Sequence, residues 1–152
     1  MQNNNIKYIT VAASLMLFSC SKMTHNDYLA QAEANAQSGN YSEAILAYKN
    51  AIAEAPQNIK TRIELGRAYL SIDLYGPANK ELSKAISLGA NDVSVYADLM
   101  KAQYLQNKHE DVVLLASDIE PKILQSAPEL RVYEALALME LGNYSEAVKI
   151  RN

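Results

Sequence analysis

Small and large apolar residues recur along the chain with a period of 34 residues, counted in blocks that start at His25. Each of the first two blocks has a small residue at positions 20 and 27 and a large residue at position 24. The residues that show this are Ala44 and Ala78, Ala51 and Ala85, and Tyr48 and Leu82. A single amphipathic helix does not need an alternation that is fixed over a whole block, whereas stacked helix pairs do. The pattern therefore predicts helix-turn-helix repeats.

A repeated hexapeptide supports this period. The letters GNYSEA occur at Gly39–Ala44 and again at Gly142–Ala147, 103 residues later, which is three periods of 34 residues plus one residue. In the first block we expect two helices about a turn at residues 38–40. Gly39 should take the left-handed conformation past the end of the first helix, and Pro56 should close the second helix.

The predicted repeats cover residues 25–58, 59–92, 93–127 and 128–152. The third is degenerate and one residue longer than the others. The fourth stops midway through its second helix, which runs from Ser145 to Asn152 and is marginal in isolation. Because solenoids need polar end caps for solubility, we expect the chain to be a truncated or shortened member of something longer. The alternative is that the last helix frays.

A family resemblance follows from these positions. The residues that carry it are Tyr28, Ala32, Ala44, Tyr48, Ala51 and Pro56 in the first block, and Leu65, Gly66, Tyr69, Ala78, Leu82 and Ala85 in the second. On these residues the chain resembles the tetratricopeptide repeat family. The resemblance implies an all-α solenoid of about 3.5 repeats. In the first block, Gln31 and Asn35 stand where the family usually has Leu and Tyr, which suggests an end repeat with a more polar face. In the second block, Arg62 replaces the first aromatic residue.

The first twenty residues resemble an export signal. Lys7 is followed by an apolar run from Tyr8 to Ser19, which is too short for a stable transmembrane helix and typical of a secretory signal peptide. The letters LFSC at residues 17–20 resemble the bacterial lipobox, which implies removal of residues 1–19 and lipidation of Cys20, with residues 20–24 as anchor and tether. Ser21 after the cysteine favours the periplasmic leaflet of the outer membrane. The alternative is an ordinary secretory signal with an incidental cysteine.

Composition and motifs argue against several kinds of function. The formal net charge is −3 and the basic residues form no run, so we expect no nucleic-acid partner. With one cysteine and two histidines, His25 and His109, an intrachain disulfide is impossible and a Cys-rich metal site is excluded. His109 takes the place of a turn aromatic, which favours packing over catalysis. No phosphate-binding glycine motif or distinct carboxylate pair is present, so we predict no enzyme activity, no metal and no cofactor.

The expected function is binding in the groove lined by the first helix of each repeat. By the family resemblance, positions 2, 5, 9, 12 and 13 face this groove. The groove residues predicted in this way are Lys60, Ile63, Arg67, Leu70, Lys101 and Tyr104, with Ser71, Ser94, Ala97 and Leu105 at the remaining positions. Arg67 and Lys101 favour an acidic or C-terminal peptide as the guest. The alternative is that Ile63, Leu70 and Leu105 are ordinary core residues.

A chaperone-tail partner is excluded by the letters at five positions. The carboxylate clamp of chaperone-binding tetratricopeptide repeats needs Lys, Asn and Arg where this chain has Leu29, Glu33, Glu64, Ser94 and Asp98. The clamp is therefore absent.

The process that this protein serves is suggested by a narrower resemblance. Residues 40–90, followed by a looser repeat with a Val-Val-Leu helix, are similar to the tetratricopeptide-repeat lipoprotein of the PEP-CTERM/exosortase system. This resemblance implies a non-catalytic adaptor with a periplasmic protein or peptide partner, in exopolysaccharide production or protein sorting. Two alternatives stay open: an assembly lipoprotein for a pilus secretin or for outer-membrane proteins, and a truncated tetratricopeptide segment of an envelope hydrolase.

Overall fold

Helices make up most of the part of the chain that the structure describes. The computed structural model describes residues 22–150, and within this range it contains nine α-helices. These are α1 (His25–Gln37), α2 (Tyr41–Glu54), α3 (Ile59–Leu70), α4 (Tyr75–Ser87), α5 (Val93–Tyr104), α6 (His109–Asp118), α7 (Pro121–Ser126), α8 (Pro128–Glu140) and α9 (Tyr144–Ile150). The predicted signal peptide at residues 1–19 and the lipidation site Cys20 lie outside the described residues.

The helices pack as successive pairs. Helix α1 packs on α2, α3 on α4 and α8 on α9, and each pair contacts the next through α2 with α3, α4 with α5, and α5 and α6 with α8. Contacts between sequence neighbours only are the property of a solenoid. The predicted all-α solenoid is therefore confirmed.

One backbone conformation recurs at the turn within every pair. The residues Gly39, Asp73, Asn107 and Gly142 have φ of 76°, 60°, 59° and 77°, all in the left-handed region. They all lie at position 15 of the predicted blocks, and the last interval is one residue longer than the first two. The extra residue that separates the two GNYSEA hexapeptides therefore lies between Asn107 and Gly142.

The third pair differs from the simple helix pair that the sequence predicted. Helix α6 ends at Asp118, Ile119 is extended with φ −78° and ψ 135°, and the chain resumes as the short helix α7 at Pro121. Proline is tolerated in the first turn of a helix, and it disfavours helical backbone in the residue that precedes it. The Glu120–Pro121 step thus divides the second helix of this repeat, and α8 then begins at Pro128.

Small residues let the two helices of each pair approach closely. Ala44, Ala78 and Val112 at position 20 are 0% exposed, and Ala147 is 7% exposed. Gly66 is the tightest position, because a Cβ atom added there would lie 2.6 Å from Cγ of Leu82. The recurrence of small residues in the sequence thus corresponds to helix contacts.

The start of the described chain is tied to the first helix pair. Thr24 and Asp27 form a capping box at the N-terminus of α1. Lys22 Nζ lies 3.0 Å from a carboxylate oxygen of Glu54 at the end of α2, and the His25 ring nitrogen Nδ1 lies 3.0 Å from the carbonyl of Ala51.

Candidate peptide-binding groove

A ladder of ion pairs connects the first helices of the first three repeats. Lys60 on α3 pairs with Glu33 on α1 at 2.7 Å. Arg67 on α3 donates from Nε to Asp98 on α5 at 2.8 Å and from Nη2 to the hydroxyl of Ser94 at 2.7 Å. In both rungs, a residue at position 9 pairs with position 2 or 6 of the next repeat. The face that was predicted to bind a peptide is thus partly neutralised by its own side chains.

Arg67 is held most firmly, since Glu64 also lies 3.1 Å from its Nη1. Burial opposes the charge of the guanidinium, but the hydrogen bonds and charges of Asp98 and Glu64 outweigh burial and raise the pKa of Arg67. At Lys60, the hydrogen bond that the ammonium donates to Glu33 likewise raises the pKa of the ammonium. An acidic guest at either cation would have to displace a carboxylate that is already bound.

Two of the predicted groove residues instead contribute to the core. Leu70 is 9% exposed, and Ile63 is partly buried against the same cluster. The cluster includes Val95, Leu99 and Ala102 of α5. In the second repeat, Ile63 and Leu70 therefore belong to a core that α3 shares with α4 and α5, which leaves a guest little access to them. The alternative, that Ile63 and Leu70 are ordinary core residues, therefore describes them better than a role in the groove does.

Within residues 22–150, no ion pair joins the first helices of the third and fourth repeats, α5 and α8. We call this missing pair the open third rung of the ladder. Lys101, at position 9 of the third repeat, is exposed and forms no ion pair with any carboxylate of residues 22–150. Beside it, Tyr104 is half-buried and Leu105 is 41% exposed, so Leu105 is not a core residue. We call Lys101, Tyr104 and Leu105 the Lys101 patch. It combines one available cation with aromatic and aliphatic surface.

Tyr104 is fixed in place by its neighbours on α6 and α8. Its ring centroid lies 5.2 Å from that of His109 and 6.2 Å from that of Tyr133, and its hydroxyl lies 3.5 Å from Oε1 of Glu140. A rigid aromatic ring is a good binding surface because little side-chain entropy is lost on contact. His109 packs its ring on Tyr104, as expected for a residue in the place of a turn aromatic.

The comparisons with known proteins identify the repeat. The tetratricopeptide repeat family matches residues 35–104, which run from the end of α1 through α5. The fold is a tetratricopeptide-repeat solenoid. No curated protein matches the chain.

Three solved structures show how far the likeness extends. The MamA protein has a TM-score of 0.77 at 20% identity, over 83% of this chain and 68% of that one. YrrB, described as a tetratricopeptide repeat protein with an unusual peptide-binding site, has a TM-score of 0.71 at 15% identity, over 82% of this chain and 63% of that one. The tetratricopeptide domain of Sgt2 from Aspergillus fumigatus has a TM-score of 0.63 at 13% identity, over 80% and 82%. At these identities the likeness concerns the fold alone.

Sequence reasoning missed the ion-pair ladder of this tetratricopeptide-repeat solenoid, although a signal for it was present. Opposite charges occupy position 9 of one repeat and position 2 or 6 of the next, as in Glu33 with Lys60 and Arg67 with Asp98. The same comparison between neighbouring repeats would also have paired Lys101 with Glu129, at position 2 of the fourth repeat, so charge alone does not separate the engaged Arg67 from Lys101.

Two kinds of feature are absent from the described residues. Within residues 22–150, no group of three or more His, Cys, Asp or Glu side chains is placed to hold a metal ion. In the same range, no helix has the length and apolar character needed to cross a membrane.

Proposed function

We propose that this protein is a non-catalytic scaffold that binds a protein partner at the Lys101 patch. The observation that carries the proposal is the open third rung. Lys60 and Arg67 are engaged by the protein's own carboxylates, whereas Lys101 is exposed beside the fixed ring of Tyr104. The tetratricopeptide-repeat fold supports a protein or peptide as the class of partner.

The chemistry of the patch suggests the character of the guest. A carboxylate would pair with Lys101, and an apolar side chain next to it would cover Tyr104 and Leu105. An extended peptide with an acidic residue beside an aliphatic or aromatic one, or with an apolar C-terminal residue, meets both requirements. Because Lys60 and Arg67 are already paired with carboxylates of this protein, the guest needs no long run of acidic residues.

The position of the partner in the cell follows from the N-terminus. The likeness of residues 17–20 to a lipobox supports a lipid anchor on Cys20 in the periplasmic leaflet of the outer membrane. Four residues, Ser21 to Thr24, separate the proposed anchor from the start of α1 at His25. At about 3.5 Å per residue, this tether reaches at most about 14 Å and keeps the solenoid close to the membrane surface. The partner would be recruited there, in exopolysaccharide production or protein sorting as the narrower resemblance suggests.

Photo-crosslinking in living cells tests the proposal. A photoreactive residue replaces Lys101, and a matched probe replaces Leu46 on α2, which is 62% exposed and lies on a second helix. We expect a discrete adduct with one protein from position 101 and none from position 46. Equal adducts from both positions, or none from either with the protein folded, would contradict the proposed site.

The anchor is tested separately. Cys20→Ser should abolish incorporation of labelled fatty acid, because the acylated thiol is gone. Incorporation that is unchanged in this variant would contradict lipidation of Cys20 without bearing on the Lys101 patch.

A further inference from the structure

The open third rung has a charged residue of opposite sign at each of its two ends. Lys101 stands at position 9 of the third repeat and Glu129 at position 2 of the fourth, the positions that Glu33 and Lys60 occupy in the first rung. The Lys60–Glu33 pair is closed at 2.7 Å. Lys101 and Glu129 are both exposed, and neither forms an ion pair with another residue in the range 22–150. Both charges are therefore available to a guest.

The contact between two tyrosine rings fixes where these charges lie. Tyr104 on α5 and Tyr133 on α8 have ring centroids 6.2 Å apart. Lys101 precedes Tyr104 by three residues and Glu129 precedes Tyr133 by four, so each charged residue lies one turn before a ring on the same face of its helix. The first helices of successive repeats run in the same direction in a helix-turn-helix solenoid. Lys101 and Glu129 therefore lie on the same side of the pair of rings.

A change of residue at position 6 distinguishes this rung from the second one. Asp98 stands at position 6 of the third repeat and accepts a hydrogen bond from Arg67 at 2.8 Å. The fourth repeat has Tyr133 at that position, where the ring packs near Tyr104 instead of pairing with a cation. The groove at this rung thus combines an aromatic surface with one cation and one carboxylate beside it.

We propose that the guest of the Lys101 patch bridges the open third rung, with a carboxylate on Lys101 and a Lys or Arg side chain on Glu129. This inference rests on the proposed function, because it concerns the same guest. An apolar side chain of the guest covers the rings of Tyr104 and Tyr133 while both of its charges are neutralised. The guest is therefore a peptide segment that has an acidic and a basic residue close together and little net charge.

A direct pair between Lys101 and Glu129 would have the opposite effect on binding. In that arrangement the carboxylate of Glu129 competes with the carboxylate of the guest, so removal of its charge tightens binding. In a bridge, Glu129 contacts the guest, so removal of its charge weakens binding. The direction in which Glu129→Gln changes the affinity distinguishes the two arrangements.

Selection from a random peptide library displayed on phage supplies a probe without knowledge of the natural partner. The purified full chain should enrich peptides that carry an acidic and a basic residue together, and Glu129→Lys should lose the preference for the basic residue alone. Glu43→Lys is the control, because Glu43 is exposed in the first turn of α2 as Glu129 is in the first turn of α8. This control should enrich the same peptides as the wild type. Enriched peptides that lack a basic residue would overturn the bridge, and no enrichment by the wild type would overturn the proposed function as well.

The affinity of one enriched peptide, measured by fluorescence anisotropy, separates the bridge from the proposed function. Glu129→Gln should weaken binding about threefold to fivefold, as expected for an exposed charge pair, and Glu43→Gln should leave it unchanged. Since both glutamates are exposed, circular dichroism should show an unaltered melting transition. Unchanged or tighter binding by Glu129→Gln would overturn the bridge and leave the Lys101 patch as the site. If Lys101→Gln did not weaken binding, the proposed function would be overturned together with the bridge.

Discussion

Arg62 and Glu81 form an ion pair of 2.6 Å between α3 and α4, with side chains that are only 12% and 14% exposed. Arg62 also donates from Nε and Nη2 to the carbonyl of Pro56. The residue stands where the repeat pattern has its first aromatic side chain. A guanidinium with satisfied hydrogen bonds thus replaces a ring as the link between the two helices and the preceding loop.

Removal of this link should destabilise the second repeat strongly. Arg62→Ala leaves the carboxylate of Glu81 buried without its partner, and we expect a loss of about 3 kcal/mol in the free energy of unfolding, measured by urea denaturation. The control is Lys60→Ala, which removes the exposed pair with Glu33 and should change stability little. Equal effects from the two substitutions would show that the Arg62–Glu81 pair does not support the fold.

The close approach of α3 and α4 gives a second prediction. Gly66→Ala places a methyl group 2.6 Å from Cγ of the fully buried Leu82, so the helices must separate. We expect a loss of about 2 kcal/mol. Gly76→Ala is the matched control, because the atom nearest to its added Cβ would be 3.8 Å away. A thermal melt in which both variants behave like the wild type would contradict the close contact.

The turn conformation gives a third prediction, in which no side-chain contact is involved. Gly39 has φ 76° and open space around the position of a Cβ atom, so Gly39→Ala changes backbone strain alone. We expect a loss of about 1 kcal/mol in the free energy of unfolding. Asn107 has φ 59°, and Asn107→Gly should leave stability unchanged or raise it by about 0.5 kcal/mol. If chemical denaturation instead showed Gly39→Ala to be as stable as the wild type, the left-handed turn would be wrong.

A buried carboxyl gives a dependence on pH. Glu134 of α8 occupies position 7, where the preceding repeats have Leu65 and Leu99, and its Oε2 atom is buried with no hydrogen-bond partner among the described residues. Burial raises the pKa of Glu134, although the charge of Arg131 opposes this. The folded state therefore favours the protonated form. Its contribution to stability is complete below the unfolded pKa of about 4.3 and is lost as the pH rises through the folded pKa.

Glu134→Gln keeps the size of the side chain and removes the charge. At pH 7 we expect it to raise the free energy of unfolding by about 1 kcal/mol, and near pH 4 the gain should disappear. Glu120→Gln, at an exposed position before α7, should have no such effect. Denaturation curves at the two pH values provide the check, and a gain that is the same at both would show that burial of the charge is not the cause.

The sequence predicted most of what depends on recurrence. The helical array, the turn at Gly39 and the buried small residues Ala44 and Ala78 all follow from identities that repeat at a fixed spacing. The stacking of helix pairs requires the same residue size at the same place, so these features can be predicted without coordinates.

Features that depend on which side chain of a neighbouring repeat makes the contact could not be predicted in the same way. The groove positions were assigned one repeat at a time, which left open that Leu70 is covered by α5 and that Arg67 is engaged by Asp98. The break between α6 and α7 was missed because the third repeat is degenerate and Pro121 follows a helical pattern. For Leu70 and Arg67, the outcome depends on how one repeat meets the next, whereas the break before α7 is a local effect of Pro121.

The central claim is that Lys101 binds a carboxylate of the partner. The most direct test is calorimetric titration of the peptide captured from position 101 into the wild-type protein and into two charge reversals, Lys101→Glu and Lys49→Glu. Lys49 is an exposed lysine on α2 and serves as the matched control for net charge. The account predicts that Lys101→Glu weakens binding at least about tenfold, as expected for loss of a charged contact, while Lys49→Glu leaves it nearly unchanged. Equal affinities for all three proteins would contradict it.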